Sequence, residues 1–313
     1  MPTLLRLARL RLALAAGIAL LAGFLAAGNA AYALAGPVDY SGIDADPALW
    51  RVSDEDSDVY IFGSFHLLPQ SLDWKTDKVL DALAASDTLY LEADVHSAEA
   101  QARMQALIPQ YGLNPPGVAL SSILDDETEA LLAEFAPTVG ASPAMLEPMQ
   151  PWLAQLVLMI GQIQMLGFDP GAGVELALIA EVAEADMRFG YFETAEEQIG
   201  FLAGLPQDIQ VEGLAQGLRE AEELPQQVDE MVRAWATGDI TALDAYVNGD
   251  MREDAPELYE AIIVTRNENW VPQIAEILDG EGTVFIAVGA GHLPGENGVL
   301  ELLRNEGYAV TRQ

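Results

Sequence analysis

Val59-Tyr-Ile-Phe-Gly-Ser-Phe-His66, near the start, and Thr283-Val-Phe-Ile-Ala-Val-Gly-Ala-Gly-His292, near the end, decide how this chain folds. Each is an apolar run that stops at a glycine and places a histidine three residues later. A short continuous apolar run closed by a turn residue reads as a strand buried on both faces. The echo continues past the histidines, with Leu67-Leu-Pro69 after the first and Leu293-Pro294 after the second. Thr88-Leu-Tyr-Leu91 reads as another strand, ending at Glu92. Between the first two strands, Asp73 to Ala85 has Val79, Leu80 and Leu83 on one helical face. At the other end, the strand Thr283–Val288 is followed by a helix from Asn297 to Asn305 and a last strand from Tyr308 to Thr311.

Strand–helix–strand units at both ends predict an α/β fold with a central, mostly parallel sheet. The middle of the chain reads as helical, over about 98–110, 123–136, 151–167, 173–186, 207–236 and 255–279, with one short strand near Arg188 to Phe192. The expectation is one domain over residues 45–313, with a largely helical insertion or cap over about 98–280. The acidic run Asp54-Glu55-Asp56, with Asp58, is expected to be a solvated turn before the first of these strands.

Composition narrows the function. The chain has 313 residues, 51% of them hydrophobic, which excludes a disordered chain. Its formal charge of −35 argues against nucleic acid as a partner and against docking onto anionic lipid. There is no cysteine, so any metal must be held by His, Asp or Glu. At the N-terminus, Arg6, Arg9 and Arg11 precede an uncharged apolar run from Leu12 to Gly28, and Ala33-Leu-Ala35 fits a cleavage site. Residues 1–35 are therefore expected to be a signal peptide, and the protein exported to the periplasm or secreted. An uncleaved N-terminal anchor is the alternative. Cleavage after Ala35 would remove those three arginines and take the charge from −35 to −38. No later stretch is long and apolar enough to span a membrane.

His66, His96 and His292 are the three histidines. Ligands of open parallel sheets bind beyond the carboxyl ends of the strands. His66 and His292 should therefore share one rim, and Glu92 should point to the same rim. Two imidazoles and a carboxylate suit a divalent transition metal with an open position. A further carboxylate could act as general base, and Glu193, after the short strand, is a candidate. The ordinary readings stand beside these. A histidine after a strand is usually a structural hydrogen-bonding residue. In Glu193-Thr-Ala-Glu-Glu197, Thr194 can cap a helix. His96 is read as a surface or capping residue. Met145, Met149, Met159 and Met165 read as core filler. Arg266 is scarce positive charge on a long helix, either paired with a carboxylate near the site or in a surface ion pair.

Several blocks in order resemble the TraB/GumN family, which is related to the Tiki metalloproteases. They are Phe62-Gly-Ser-Phe-His66-Leu-Leu-Pro69; Leu89-Tyr-Leu-Glu92; Pro151-Trp152; Gly167 through Ala180; Phe192-Glu-Thr194 with Glu197-Gln198; Trp235 with Gly238-Asp239; Arg266-Asn267 with Trp270; and Val288-Gly-Ala-Gly-His292-Leu-Pro-Gly295 with Gly307-Tyr308. The resemblance covers nearly all of residues 45–313. It implies a mixed α/β fold akin to erythromycin esterases and ChaN-like haem-binding proteins. It also implies that His66, His292 and Glu92 are metal or catalytic residues, with Glu193 and Arg266 supporting them. One departure is Gly173-Val-Glu175, where the family pattern leads us to expect an aspartate last. The expected activity is hydrolysis of peptide or ester bonds outside the cytoplasm, by water bound to manganese, cobalt or zinc. The alternative is a non-catalytic envelope protein that binds haem, a metal or a peptide partner.

Overall fold

The computed structural model describes residues 38–313, so the expected signal peptide and its cleavage site lie outside the described residues. The fold is α/β. A six-stranded sheet runs in the order β6-β4-β7-β2-β1-β8, built from β1 (Leu49–Ser53), β2 (Ser57–Ser64), β4 (Thr88–Leu91), β6 (Arg188–Tyr191), β7 (Gly282–Gly289) and β8 (Val310–Arg312). The strands β6, β4, β7 and β2 are parallel neighbours, while β1 and β8 close one side antiparallel. A two-residue pair, β3 (Leu68–Pro69) with β5 (Phe168–Asp169), follows the first histidine.

The central strands are apolar through their middles because both faces of the sheet are covered. On one face Phe62, Phe285 and Ala287 pack with Trp74 and Trp235. On the other, Val59, Ile61, Ile286 and Val288 pack with Trp270, Ile274 and Leu303. The period-2 alternation of the strand sorts neighbours to opposite faces. A separate apolar cluster is built mainly by helices, around Trp152, Leu156, Leu214 and Ile263. Among the described residues, no helix is long and apolar enough to cross a membrane.

The expected strands lie where the sequence pattern put them, give or take two residues, but β1 escaped it. Leu49-Trp-Arg-Val-Ser53 carries a charged residue in mid-strand and becomes a strand only by pairing with β2 across the Asp54–Asp56 turn. The helices differ more. The expected helix 207–236 is two, Gln207–Arg219 and Leu224–Ala236. Pro225 sits in the first turn of the second, where its missing N–H is tolerated. The expected helix 255–279 is interrupted as well. Pro256–Tyr259 leads into a π-helical turn, Glu260–Val264, before the regular helix Thr265–Leu278. The expected core methionines lie at the margin instead: Met149 and Met159 pack part-buried against the helical core, and Met145 is exposed.

Candidate functional site

Strand register brings the site together. In the parallel pair β2·β7, Ser64 lies opposite Gly289, so both chains leave the sheet at the same level. His66 and His292 follow within a few residues, on neighbouring strands. On the other side of β7, Leu91 pairs with Ala287, so Glu92 emerges one residue later at the same rim. Leu91 also pairs with Tyr191, and the Glu193 amide donates to the Glu92 carbonyl at 2.8 Å. The four parallel strands thus deliver His66, His292, Glu92 and Glu193 to one edge of the sheet. All four side chains are buried.

Arg266 ties three of them together. It enters from the first turn of helix Thr265–Leu278 and is 1% exposed. Its Nε and Nη2 donate to the two Glu193 oxygens at 2.7 and 2.8 Å, and Nη2 also donates to Glu92 at 2.6 Å. Its Nη1 lies 3.0 Å from His292 Nε2 and 3.4 Å from the Ile262 carbonyl, which belongs to the π-helical turn. A π turn leaves carbonyls out of the regular ladder, and here one of them faces the guanidinium. The aromatic rings of Trp270 and Phe201 lie 4.8 and 5.2 Å from the guanidinium carbon. Two carboxylates hold the Arg266 pKa above its usual value, against the effect of burial.

The carboxylates have further donors. Trp270 Nε1 donates to Glu193 at 2.9 Å, and Gln198 Nε2 donates to both Glu193 and Glu92 at 3.1 and 3.2 Å. The Gly289 amide donates to the second Glu92 oxygen at 2.6 Å. Burial pushes the Glu193 pKa up, and the nearby Glu92 charge adds to it against the pull of Arg266. His292 is fully buried, with Nδ1 2.7 Å from Asn267 Oδ1 and the Trp270 ring at 4.4 Å. Burial, then the Arg266 charge, then His66, push its pKa well below the ordinary histidine value, so it is neutral at pH 7. The turn that carries it is held by Asn248, whose amide donates to the Gly291 carbonyl at 2.9 Å.

His66 has different company. Its Nδ1 lies 2.8 Å from Glu175 Oε1, and the Ser64 hydroxyl donates to the same oxygen. Glu175 is in the first turn of helix Val174–Glu181, where the helix dipole favours a carboxylate. Burial opposes its charge, but His66 and Ser64 outweigh burial and lower its pKa. Gly173 makes this approach possible. A Cβ there would sit 2.2 Å from the His66 carbonyl oxygen, so only glycine lets the two segments touch. The Val174 amide then donates to the Phe65 carbonyl at 2.9 Å.

The chemistry of the donors tests whether a divalent metal fits. Among the described residues, no group of three or more His, Cys, Asp or Glu side chains could hold a metal ion. Glu92 and His292 come within 3.9 Å, yet Glu92 accepts three hydrogen bonds and the His292 ring nitrogens face Arg266 and Asn267. In this arrangement a cationic side chain occupies the place between Glu92, Glu193 and His292. The trio His66, His292 and Glu92 therefore does not fit a metal as it stands.

Comparison with known proteins bears on the same blocks of sequence. The model of the TraB/PrgY/gumN family matches residues 48–312, which includes every residue of the site. The chain belongs to the TraB/PrgY/gumN family. It is 24% identical over 250 residues to the uncharacterized protein YbaP of Escherichia coli (strain K12), covering 78% of this chain and 87% of that one. It is 26% identical over 163 residues to the metalloprotease TIKI1 of Xenopus tropicalis, covering 44% of this chain and 32% of that one. No solved structure matches.

Within this TraB/PrgY/gumN member, the residues that sequence reasoning singled out fall into two groups. Glu92, Glu193, Arg266 and His292 form one connected network, and His66 stands beside it with Glu175. The partners were partly visible. Glu175 stood at the one departure from the expected family pattern, and Asn267, Trp270 and Gln198 lay inside recognised blocks. Ser64 lay inside a recognised block too, and Asn248 carried no signal. Glu193 and Thr194 divide their roles: Glu193 turns inward to Arg266, while Thr194 and Glu197 form a capping box on helix Ala195–Ala203. His96 is outside the network, 3.1 Å from Asp94 and against the Phe189 ring at 4.8 Å.

Proposed function

We propose that this protein is an exported hydrolase that cleaves peptide or small ester bonds with water as the nucleophile. The observation that carries this reading is the His66–Glu175 contact at the rim of the parallel sheet. A buried carboxylate on Nδ1 fixes the imidazole orientation and favours its protonated form once a proton arrives at Nε2. His66 then takes a proton from water as the oxygen attacks the carbonyl carbon. The carbon–nitrogen or carbon–oxygen bond breaks, and His66 returns the proton to the leaving group. Glu92, Glu193 and Arg266, each engaged in several buried hydrogen bonds, hold His292 and the strand ends in place rather than carry protons.

A relative is named a metalloprotease, and that favours a metal-assisted form of the same reaction. In that form His66, His292 and Glu92 would hold manganese, cobalt or zinc, which would polarise the carbonyl, and His66 as a ligand would no longer be the base. It requires Arg266 to leave His292. The signal peptide expected over residues 1–35 supports action outside the cytoplasm, and the strong negative charge fits a peptide or ester substrate rather than nucleic acid.

The test is a screen of fluorogenic peptides and esters with the purified protein, with and without manganese, cobalt or zinc. Elemental analysis runs alongside, and His66→Ala is the control. Turnover that is lost in His66→Ala is expected. Absence of turnover under every metal condition would overturn the hydrolase reading, and haem uptake on reconstitution would then point to a binding protein. N-terminal sequencing of exported protein should find Gly36 first.

A further inference from the structure

His292 has both ring nitrogens claimed, and the claims fix its chemistry. The Arg266 guanidinium is always protonated, so all five of its N–H groups donate. Its Nη1 is 3.0 Å from His292 Nε2, so that nitrogen must be the acceptor. A neutral imidazole has one N–H, which must then be on Nδ1, pointing at Asn267 Oδ1 2.7 Å away. The Asn267 amide cannot be turned round to receive it differently. Its Nδ2 donates to the carbonyls of His292 and Asn297, at 3.1 and 2.7 Å, which leaves Oδ1 for the ring. Imidazolium and the Nε2–H tautomer would each set two donors face to face.

We propose that Arg266 and Asn267, neighbours on one helix, clamp His292 as the neutral Nδ1–H tautomer and make the guanidinium the resident cation of the Glu92–Glu193–His292 cluster. A divalent metal then reaches the His292 Nε2 lone pair only by displacing Nη1 of Arg266. Arg266 is thus a positioning residue that guards this nitrogen. The other Arg266 donors point the same way. Nε and Nη2 occupy both Glu193 oxygens and one Glu92 oxygen, so the guanidinium covers four acceptors of a set that would suit a divalent ion. Both carboxylates turn oxygens to the one guanidinium, so removing the arginine would uncover the acceptors. The inference concerns the same rim as the hydrolase reading but stands on hydrogen-bond geometry, and its test needs no turnover.

The test has two parts. Nitrogen-15 NMR of the histidines of the purified protein, at pH 7 without metal, reads the tautomer, with His292→Asn used for assignment. Nδ1–H with an unprotonated Nε2 is expected for His292. An Nε2–H or imidazolium His292 would overturn the clamp. Cobalt(II) titration then compares wild type with Arg266→Gln and Arg266→Lys, followed by absorption spectra and thermal melting. Arg266→Gln should bind cobalt at least about tenfold more tightly than wild type, since one charge-assisted hydrogen bond no longer competes. It should also be stabilised by cobalt more than wild type is, and Arg266→Lys should lie between the two. If wild type binds cobalt through His292 as tightly as Arg266→Gln does, the guarding role is wrong. If Arg266→Gln does not fold, the tautomer measurement on wild type decides the proposal alone.

Discussion

His66 and His292 leave adjacent parallel strands at one rim, yet one ring faces an anion and the other a cation. His66 meets Glu175, whose negative charge favours a proton on the ring. His292 meets Arg266, whose positive charge forbids one. The local sequence is nearly the same in both places, glycine then two residues then histidine. The segments that pack over the two strand ends differ. A short helix made close by Gly173 brings a carboxylate to the first. A helix displaced by a π turn brings a guanidinium and an amide to the second. The chemistry of an imidazole is set by its partners, so a repeated motif does not imply a repeated role.

The largest effect should come from Arg266. Arg266→Met leaves Glu92 and Glu193 buried without their counter-ion, and urea denaturation should show a loss of about 3–5 kcal/mol. A loss no larger than that of an ordinary surface substitution would mean that water reaches the cluster and the second strand end is not sealed. His66→Ala should lower hydrolysis by on the order of 10²–10⁴-fold, as expected for loss of a general base. A smaller drop than in Asn267→Ala would reverse the assignment of roles between the two ends.

The two ends should also separate by pH. Unfolded His292 binds a proton below pH about 6.5, while the folded residue stays neutral. Its contribution to stability is therefore complete above that pH and is lost as pH falls toward the depressed folded value. Glu175 has its pKa lowered from 4.5, so its contribution is lost only at lower pH, as the folded carboxylate protonates. Urea midpoints measured from pH 7.5 to 4 should fall first in the histidine range, and His292→Asn should flatten that part of the curve alone. The smallest effect is Trp270→Phe, which keeps the ring but removes the donor to Glu193. It should cost about 1 kcal/mol in the same denaturation assay.

Much of the site was legible because strand ends are legible. An apolar run bounded by glycine locates the end of a parallel strand for His66 and His292, and two further short apolar runs that stop at a glutamate put Glu92 and Glu193 on the same rim. What lay across from them was less visible. Arg266 sits on a helix expected to be continuous, and the π turn that aims it at the cluster has no simple signature in Glu-Ala-Ile-Ile-Val264. β1 was missed because its identity depends on pairing with β2 and β8 and not on its own pattern.

By itself the sequence determined the α/β class, the parallel strands and the family, because hydrophobic periodicity and ordered motif blocks are local properties of the chain. Only the tertiary structure decided which side chain faces each histidine. Those contacts join residues 25 to 109 positions apart, through strand register, a close glycine approach and one turn of irregular helix. Burial then amplifies each pairing, because a charge removed from water depends on its nearest partner for compensation.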